Sequence, residues 1–144
     1  MMLKNIGFEG FTVKSSKFQV NELTEQGTFN VSFSEPDVDF VEAEEDSPQQ
    51  IVMTFDVSMV GHAEGVDADD PDVEPAFEAE FLIETTYRDL NEKVMSEEDV
   101  NQNLWFFENF NQIATKIASD NIFKNTELGY MPIPWTGKSV SVAE

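Results

Sequence analysis

The chain has 144 residues, room for one domain with a sizeable core and too little for two comfortable ones. Thirteen phenylalanines and a hydrophobic content of 40% mark a folded protein, because disordered chains are poor in aromatics. Eight basic against twenty-nine acidic residues give a net charge of −21, which argues against a phosphate-binding surface and an anionic membrane. Such a field steers in basic proteins or the basic regions of unfolded ones, or simply keeps the chain in solution. The absence of cysteine rules out disulfides and thiolate chemistry and is compatible with a reducing cytosol. The opening MMLKNIGFEGF has no apolar core of a signal peptide, and no run reaches membrane-spanning length, so a cytoplasmic location is expected.

In chain order, Phe11, Val13, Phe18 and Val20 alternate within two short pieces separated by Lys14-Ser15-Ser16, which predicts a strand with a bulge or bend. Gly27 opens a second strand with Phe29, Val31 and Phe33 on one face. Val38 and Phe40 keep the alternation beyond Glu35-Pro36, where proline predicts an edge or kinked position. An acidic loop at about 42–50 precedes the clearest strand, Ile51 to Val60, with Ile51, Met53, Phe55, Val57 and Met59 opposite Thr54, Asp56 and Ser58. A second acidic loop at about 64–75 leads to a fourth strand, Ala76 to Arg88. There Phe77, Ala79, Phe81, Ile83, Thr85 and Tyr87 face away from Glu78, Glu80, Glu84 and Arg88. One apolar and one wet face predict an antiparallel sheet covered on a single side.

Ser96-Glu97-Glu98-Asp99 is a helix start, with a capping serine and three acids where the helix dipole favours them. A long helix is expected over 103–123, its apolar stripe formed by Phe106, Phe110, Ile113 and Ile117 and flanked by Leu104, Phe107, Ala114 and Ala118. It is stable only lying on the apolar sheet face. Beyond Asn125 the chain reads as irregular, with Pro132 and Pro134 holding MPIPW extended and a flexible tail over 136–144. The fold class is α+β, a single domain over 1–144: a four-stranded antiparallel sheet with one long C-terminal amphipathic helix on one face.

No catalytic signature is present, and no enzyme activity or cofactor is expected. Thr136-Gly137-Lys138-Ser139 matches half of a phosphate-binding loop, but Pro132 stands where its first glycine belongs and no helix can follow. Asp67 to Asp72 resembles a calcium loop with a closing acid at Glu78, yet it has Asp72 where the turn needs glycine, so it reads as a solvated loop. His62 is the only histidine, so no zinc cluster can be built, and it reads as a loop residue at a strand end. Trp105, Phe106, Phe107 and Phe110 cannot all face one core line. Some are therefore candidates for a subunit or partner contact, or the stripe packs on a curved sheet. Trp135 has the same two readings.

The order of four strands and an aromatic helix resembles the SecB export chaperones. Val13, Phe18 and Val20 match the family's first-strand pattern V-x-x-x-x-F-x-V. Asn103-Leu104-Trp105-Phe106-Phe107 resembles its N-x-L-F-P-Y helix start without the proline, and Met131-Pro132-Ile133-Pro134-Trp135 its L-x-P-I/V-x-F segment. Only residues 136–144 follow, so the second C-terminal helix has no counterpart and the likeness is to a short SecB-like variant. No translocase-docking residue carries over. The resemblance implies a chaperone or peptide-binding protein, homo-oligomeric, holding unfolded or extended polypeptide in aromatic-lined grooves. Trp105, Phe107, Phe110, Met131 and Trp135 are its client- or subunit-binding candidates. The rivals are a structural or assembly protein of a phage or mobile element and an acidic nucleic-acid mimic. A single-strand-binding barrel lacks its basic groove.

Overall fold

The computed structural model describes residues 2–21, 27–63, 65, 72–123 and 140–142. After one 3-10 turn, Met2–Asn5, come strands β1 (Ile6–Val20), β2 (Gly27–Ser34), β3 (Asp37–Val41), β4 (Gln49–Ala63) and β5 (Phe77–Asp89). Helices α1 (Glu97–Gln102) and α2 (Leu104–Phe123) and a short strand β6 (Val140–Val142) follow. Across the sheet the order is β1–β5–β4–β2–β6, with β3 also pairing β4. β1 to β5 pair antiparallel, and β6 joins β2 in parallel.

Five antiparallel strands therefore replace the four expected, because the second row along β4 is split. Pro36 has no backbone N–H to give to a ladder. The register passes from Phe33↔Val57 in β2 to Asp37↔Thr54 in β3, so three residues, Ser34 to Pro36, stand opposite two, Phe55 and Asp56. The Ser34 hydroxyl accepts from the Asp56 N–H at 2.8 Å, which supplies a partner for β4 backbone beside the break. β1 starts at Ile6, earlier than the alternation of Phe11 and Val13 suggests, and the Lys14-Ser15-Ser16 irregularity is a register shift between Val13 and Ser15. A second shift lies between Phe8 and Gly10. These two bulges re-phase β1 so that Phe8, Phe11, Val13, Phe18 and Val20 all pair with the inward residues of β5.

One sheet face is apolar, as the alternation requires. Phe55, Val57, Met59, Phe77, Ala79, Phe81 and Ile83 form one buried cluster with Ala118 of α2. Ile51, Met53, Tyr87, Met95, Val100 and Phe107 form a second, closed below by Leu3 and Ile6. The opposite face is wet and carries the ion pairs Lys14–Glu84 (3.6 Å) and Arg88–Glu9 (3.8 Å), both partly exposed and worth little to stability. His62 lies within β4 and is buried, not in a loop, because β4 runs to Ala63 and pairs His62 with Thr28.

The link from β5 to α1 is organised by Asp89, which is buried. Its carboxylate accepts from the backbone N–H groups of Asn91 (3.0 Å) and Met95 (2.7 Å) and from the Asn91 side chain (2.8 Å). Ser96 then caps α1: its hydroxyl accepts from the Asp99 N–H, and the Asp99 carboxylate accepts from the Ser96 N–H at 2.9 Å. The Ser96 donors hold the exposed Asp99 carboxyl below its ordinary value. The depressed pKa means that the box supports the helix above the usual aspartate range and loses that support as acid protonates Asp99.

The face that α2 buries differs from the stripe of large residues. Phe107, Asn111, Ala114, Thr115, Ala118 and Ser119 are buried, whereas Ile113 and Ile117 are 54% and 45% exposed. Small side chains on this row let the helix axis come close to the sheet. Thr115 and Ser119 return their hydroxyls to the carbonyls four residues back, at 2.8 and 2.7 Å, so no donor is stranded. Asn111 Oδ1 accepts two hydroxyl donors from β5, Tyr87 at 2.6 Å and Thr85 at 2.7 Å. The Tyr87 hydroxyl also reaches the Phe107 carbonyl at 3.0 Å, and burial pushes its pKa upward, so it stays a neutral donor. Asn111→Ala leaves the Thr85 hydroxyl without its acceptor and opens a void, and it should cost about 2–4 kcal/mol in urea unfolding. Tyr87→Phe keeps both ring packing and the Thr85–Asn111 bond, so its cost should be smaller, about 1 kcal/mol. Equal losses for the two variants would contradict Asn111 as the shared acceptor.

Candidate functional site

The burial of the small row on α2 turns its large apolar residues outward. Trp105, Ile113 and Ile117 are exposed, Trp105 the most at 57%, and Phe106 and Phe110 are half-buried. The rings form a chain from solvent inward. Trp105 meets Phe106 edge-on with centroids 6.1 Å apart, Phe106 leans on Phe110 at 5.3 Å, and Phe110 stacks on Phe8 of β1 at 5.4 Å. Through this chain Trp105 is braced by rings that rest on β1. Scattered apolar residues on a surface are ordinary, but three or more along one helix side form a patch suited to a partner.

A second feature sits where the β2–β3 row breaks. Phe33, Pro36 and Phe55 from the sheet and Leu104, Glu108 and Asn111 from α2 line a cleft of about 200 Å3. Glu35 and Pro36 continue it into a depression carrying Asp37, Asp39 and Glu97. Its lining sets Phe33, Pro36, Phe55 and Leu104 beside the carboxylates Glu35 and Glu108, and no lysine or arginine lines it among the described residues. Apolar side chains beside carboxylates suit a side chain with an aliphatic stem and a cationic head. The sequence marked the strand break through Pro36. The cleft itself needed the close seating of α2, which is encoded in the small residues Ala114, Thr115, Ala118 and Ser119 rather than in its largest ones.

Of the five residues expected to bind client or subunit, Trp105 is open to solvent and Phe110 is half-buried. Phe107 is fully buried, its ring edge-on to Tyr87 at 4.9 Å, so it belongs to the core between helix and sheet and is out of reach of a partner. Met131 and Trp135 lie outside the described residues, as do Thr136-Gly137-Lys138-Ser139 and residues 67–71 of the acidic loop. Residues 140–142, expected within a flexible tail, form β6. Among the described residues no group of three metal-ligating side chains comes together, and no helix is long and apolar enough to cross a membrane.

Phe107→Ala should cost about 3–5 kcal/mol of unfolding free energy through the cavity it leaves, whereas Trp105→Ala should stay within about 1 kcal/mol. Urea unfolding of the two variants checks the assignment of faces. A large loss at Trp105 with a small one at Phe107 would reverse it.

No protein-family profile matches the chain, and no curated protein sequence matches it either. Among solved structures it is similar to the Mycobacterium tuberculosis Rv1957 SecB-like chaperone in complex with a ChAD peptide from the Rv1956 HigA1 antitoxin. The TM-score is 0.62 and the identity 12%, over 99% of this chain and 93% of that one. At that identity the likeness speaks for architecture alone, and the architecture is a SecB-like fold.

Proposed function

We propose that the chain is a non-enzymatic, cytosolic SecB-like chaperone or peptide-binding protein that holds unfolded or extended polypeptide and works as a homo-oligomer. The observation that carries this reading is the outward apolar row of α2, Trp105, Ile113 and Ile117, which nothing in the subunit covers among the described residues. It is supported by the fold, since the similar SecB-like chaperone was solved with a peptide bound.

The chemistry of holding follows from the two surfaces. Apolar side chains of a client gain by leaving water against Trp105 and the isoleucines, at roughly 25 cal/mol for each Å2 removed. Such contacts are tolerant of sequence, because they have no buried polar partner to satisfy. The −21 charge adds attraction for basic segments and keeps a loaded complex from sticking to its neighbours. Phe110 contributes its open edge. Met131 and Trp135 belong to the same proposal as further apolar contacts. Part of the helix row serves the contact between copies, where exposed Trp and Ile are equally suited.

The test is suppression of aggregation of a reduced, unfolded substrate by the full chain across a salt titration. Suppression at near-stoichiometric ratios is expected, weakening for a basic substrate between about 0.05 and 0.5 M salt as screening shortens the reach of the acidic field. Trp105→Ala should lower suppression several-fold while leaving the far-UV spectrum unchanged. No suppression at any ratio would sink the chaperone reading.

A further inference from the structure

The outer edge of β2 is occupied by the chain itself. β6 runs parallel to β2 with register Ser32↔Val140, Phe33↔Ser141 and Ser34↔Val142, and it is the outermost strand of the sheet there. Three residue pairs make a short ladder, and parallel pairing is slightly weaker per residue than antiparallel. An uncovered strand edge is a row of backbone donors and acceptors that any extended chain can read, whatever its side chains. The same β2 residues, Phe33 and Ser34, line the cleft, and the break at Glu35-Pro36 lies directly after the last pair.

We infer that the β2 edge is an acceptor for an extended client segment added as a parallel strand, and that residues 140–142 are its built-in, displaceable occupant. This deepens the peptide-binding reading and rests on it. A client strand on this edge runs in the direction of β2. The residue following its third pair therefore arrives at Glu35-Pro36, where the ladder stops and the cleft opens. A lysine or arginine there lays its methylenes on Phe33, Phe55 and Leu104 and its charge between Glu35 and Glu108. The preferred segment is thus a short β-forming stretch followed by one cation. Backbone pairing supplies the tolerance, and the cleft supplies the preference. Residues 140–142 compete for the edge, so client affinity is set by how firmly they pair.

Two labelled ten-residue peptides serve as probes, each of alternating threonine and valine, one with lysine after the last valine and one with glutamate there. Anisotropy titrations with the full chain should show tighter binding of the lysine probe. Replacing both Ser141 and Val142 by proline removes ladder donors of β6, and it should tighten both probes about tenfold. Glu35→Gln combined with Glu108→Gln should weaken the lysine probe several-fold and spare the glutamate probe. In hydrogen exchange on the unaltered chain, saturating probe should expose the amides of residues 140–142 while Phe33 and Ser34 stay protected.

Unchanged affinity in the double-proline chain, or amides at 140–142 that remain protected with probe bound, would overturn the inference even if aggregation is suppressed. Amides at 140–142 unprotected in the free chain would overturn it as well. If neither probe binds any variant and no aggregation is suppressed, the peptide-binding reading falls together with it.

Discussion

The seat of α2 on the sheet is the constraint on which the rest depends. A helix offers one face to a core, and here the buried face is the one carrying Asn111, Ala114, Thr115, Ala118 and Ser119, not the one with Ile113 and Ile117. Asn111 sits at its centre, accepting hydroxyl bonds from Thr85 and Tyr87 of β5. A buried amide oxygen between two donors is costly to displace by sliding or rolling, since either motion strands all three groups. Around it Ala114, Thr115, Ala118 and Ser119 leave the backbone little to stand off on, and Phe107 fills the wider end against Tyr87. With that face committed, Trp105, Ile113 and Ile117 have nowhere to go but outward.

The two apolar features of the surface are consequences of this choice. Rolling the helix toward its heavier side would bury the isoleucines and lift Leu104 and Glu108 away from Phe33 and Phe55, closing one surface and abolishing the other. The break in the β2–β3 row completes the arrangement. Pro36 interrupts the ladder beside Leu104 and Glu108 of α2, so the sheet edge, apolar side chains and carboxylates meet at one place. A strongly negative chain can carry exposed apolar groups of this kind without indiscriminate aggregation, because its copies repel at distance and associate only where shape compensates.

Much of the fold is legible in the residues. Strict alternation in β4 and β5 identifies the strands and their inward faces, the bulge at Lys14-Ser15-Ser16 shows as a break in period, and the Ser96 cap is explicit. The split of the second row is legible as a proline but not as a fifth strand. The inward face of α2 is where pattern reading fails. Hydrophobic periodicity weights Phe106, Phe110, Ile113 and Ile117, whereas burial follows Asn111, Thr115 and Ser119, polar residues satisfied by β5 or by their own helix. The cleft needs three segments distant in sequence, and no single-segment pattern encodes it. His62 illustrates the same limit, since only the pairing of β4 shows that it lies within a strand.

The most direct test is photo-cross-linking from single positions to a bound unfolded protein. Benzoylphenylalanine replacing Ile113 on the outward side of α2 should capture client in high yield. The same group replacing Glu80, on the uncovered sheet face, should capture little. Cross-linking from Glu80 with none from Ile113 would contradict the claim that the seating of α2 creates the surface on which polypeptide is held.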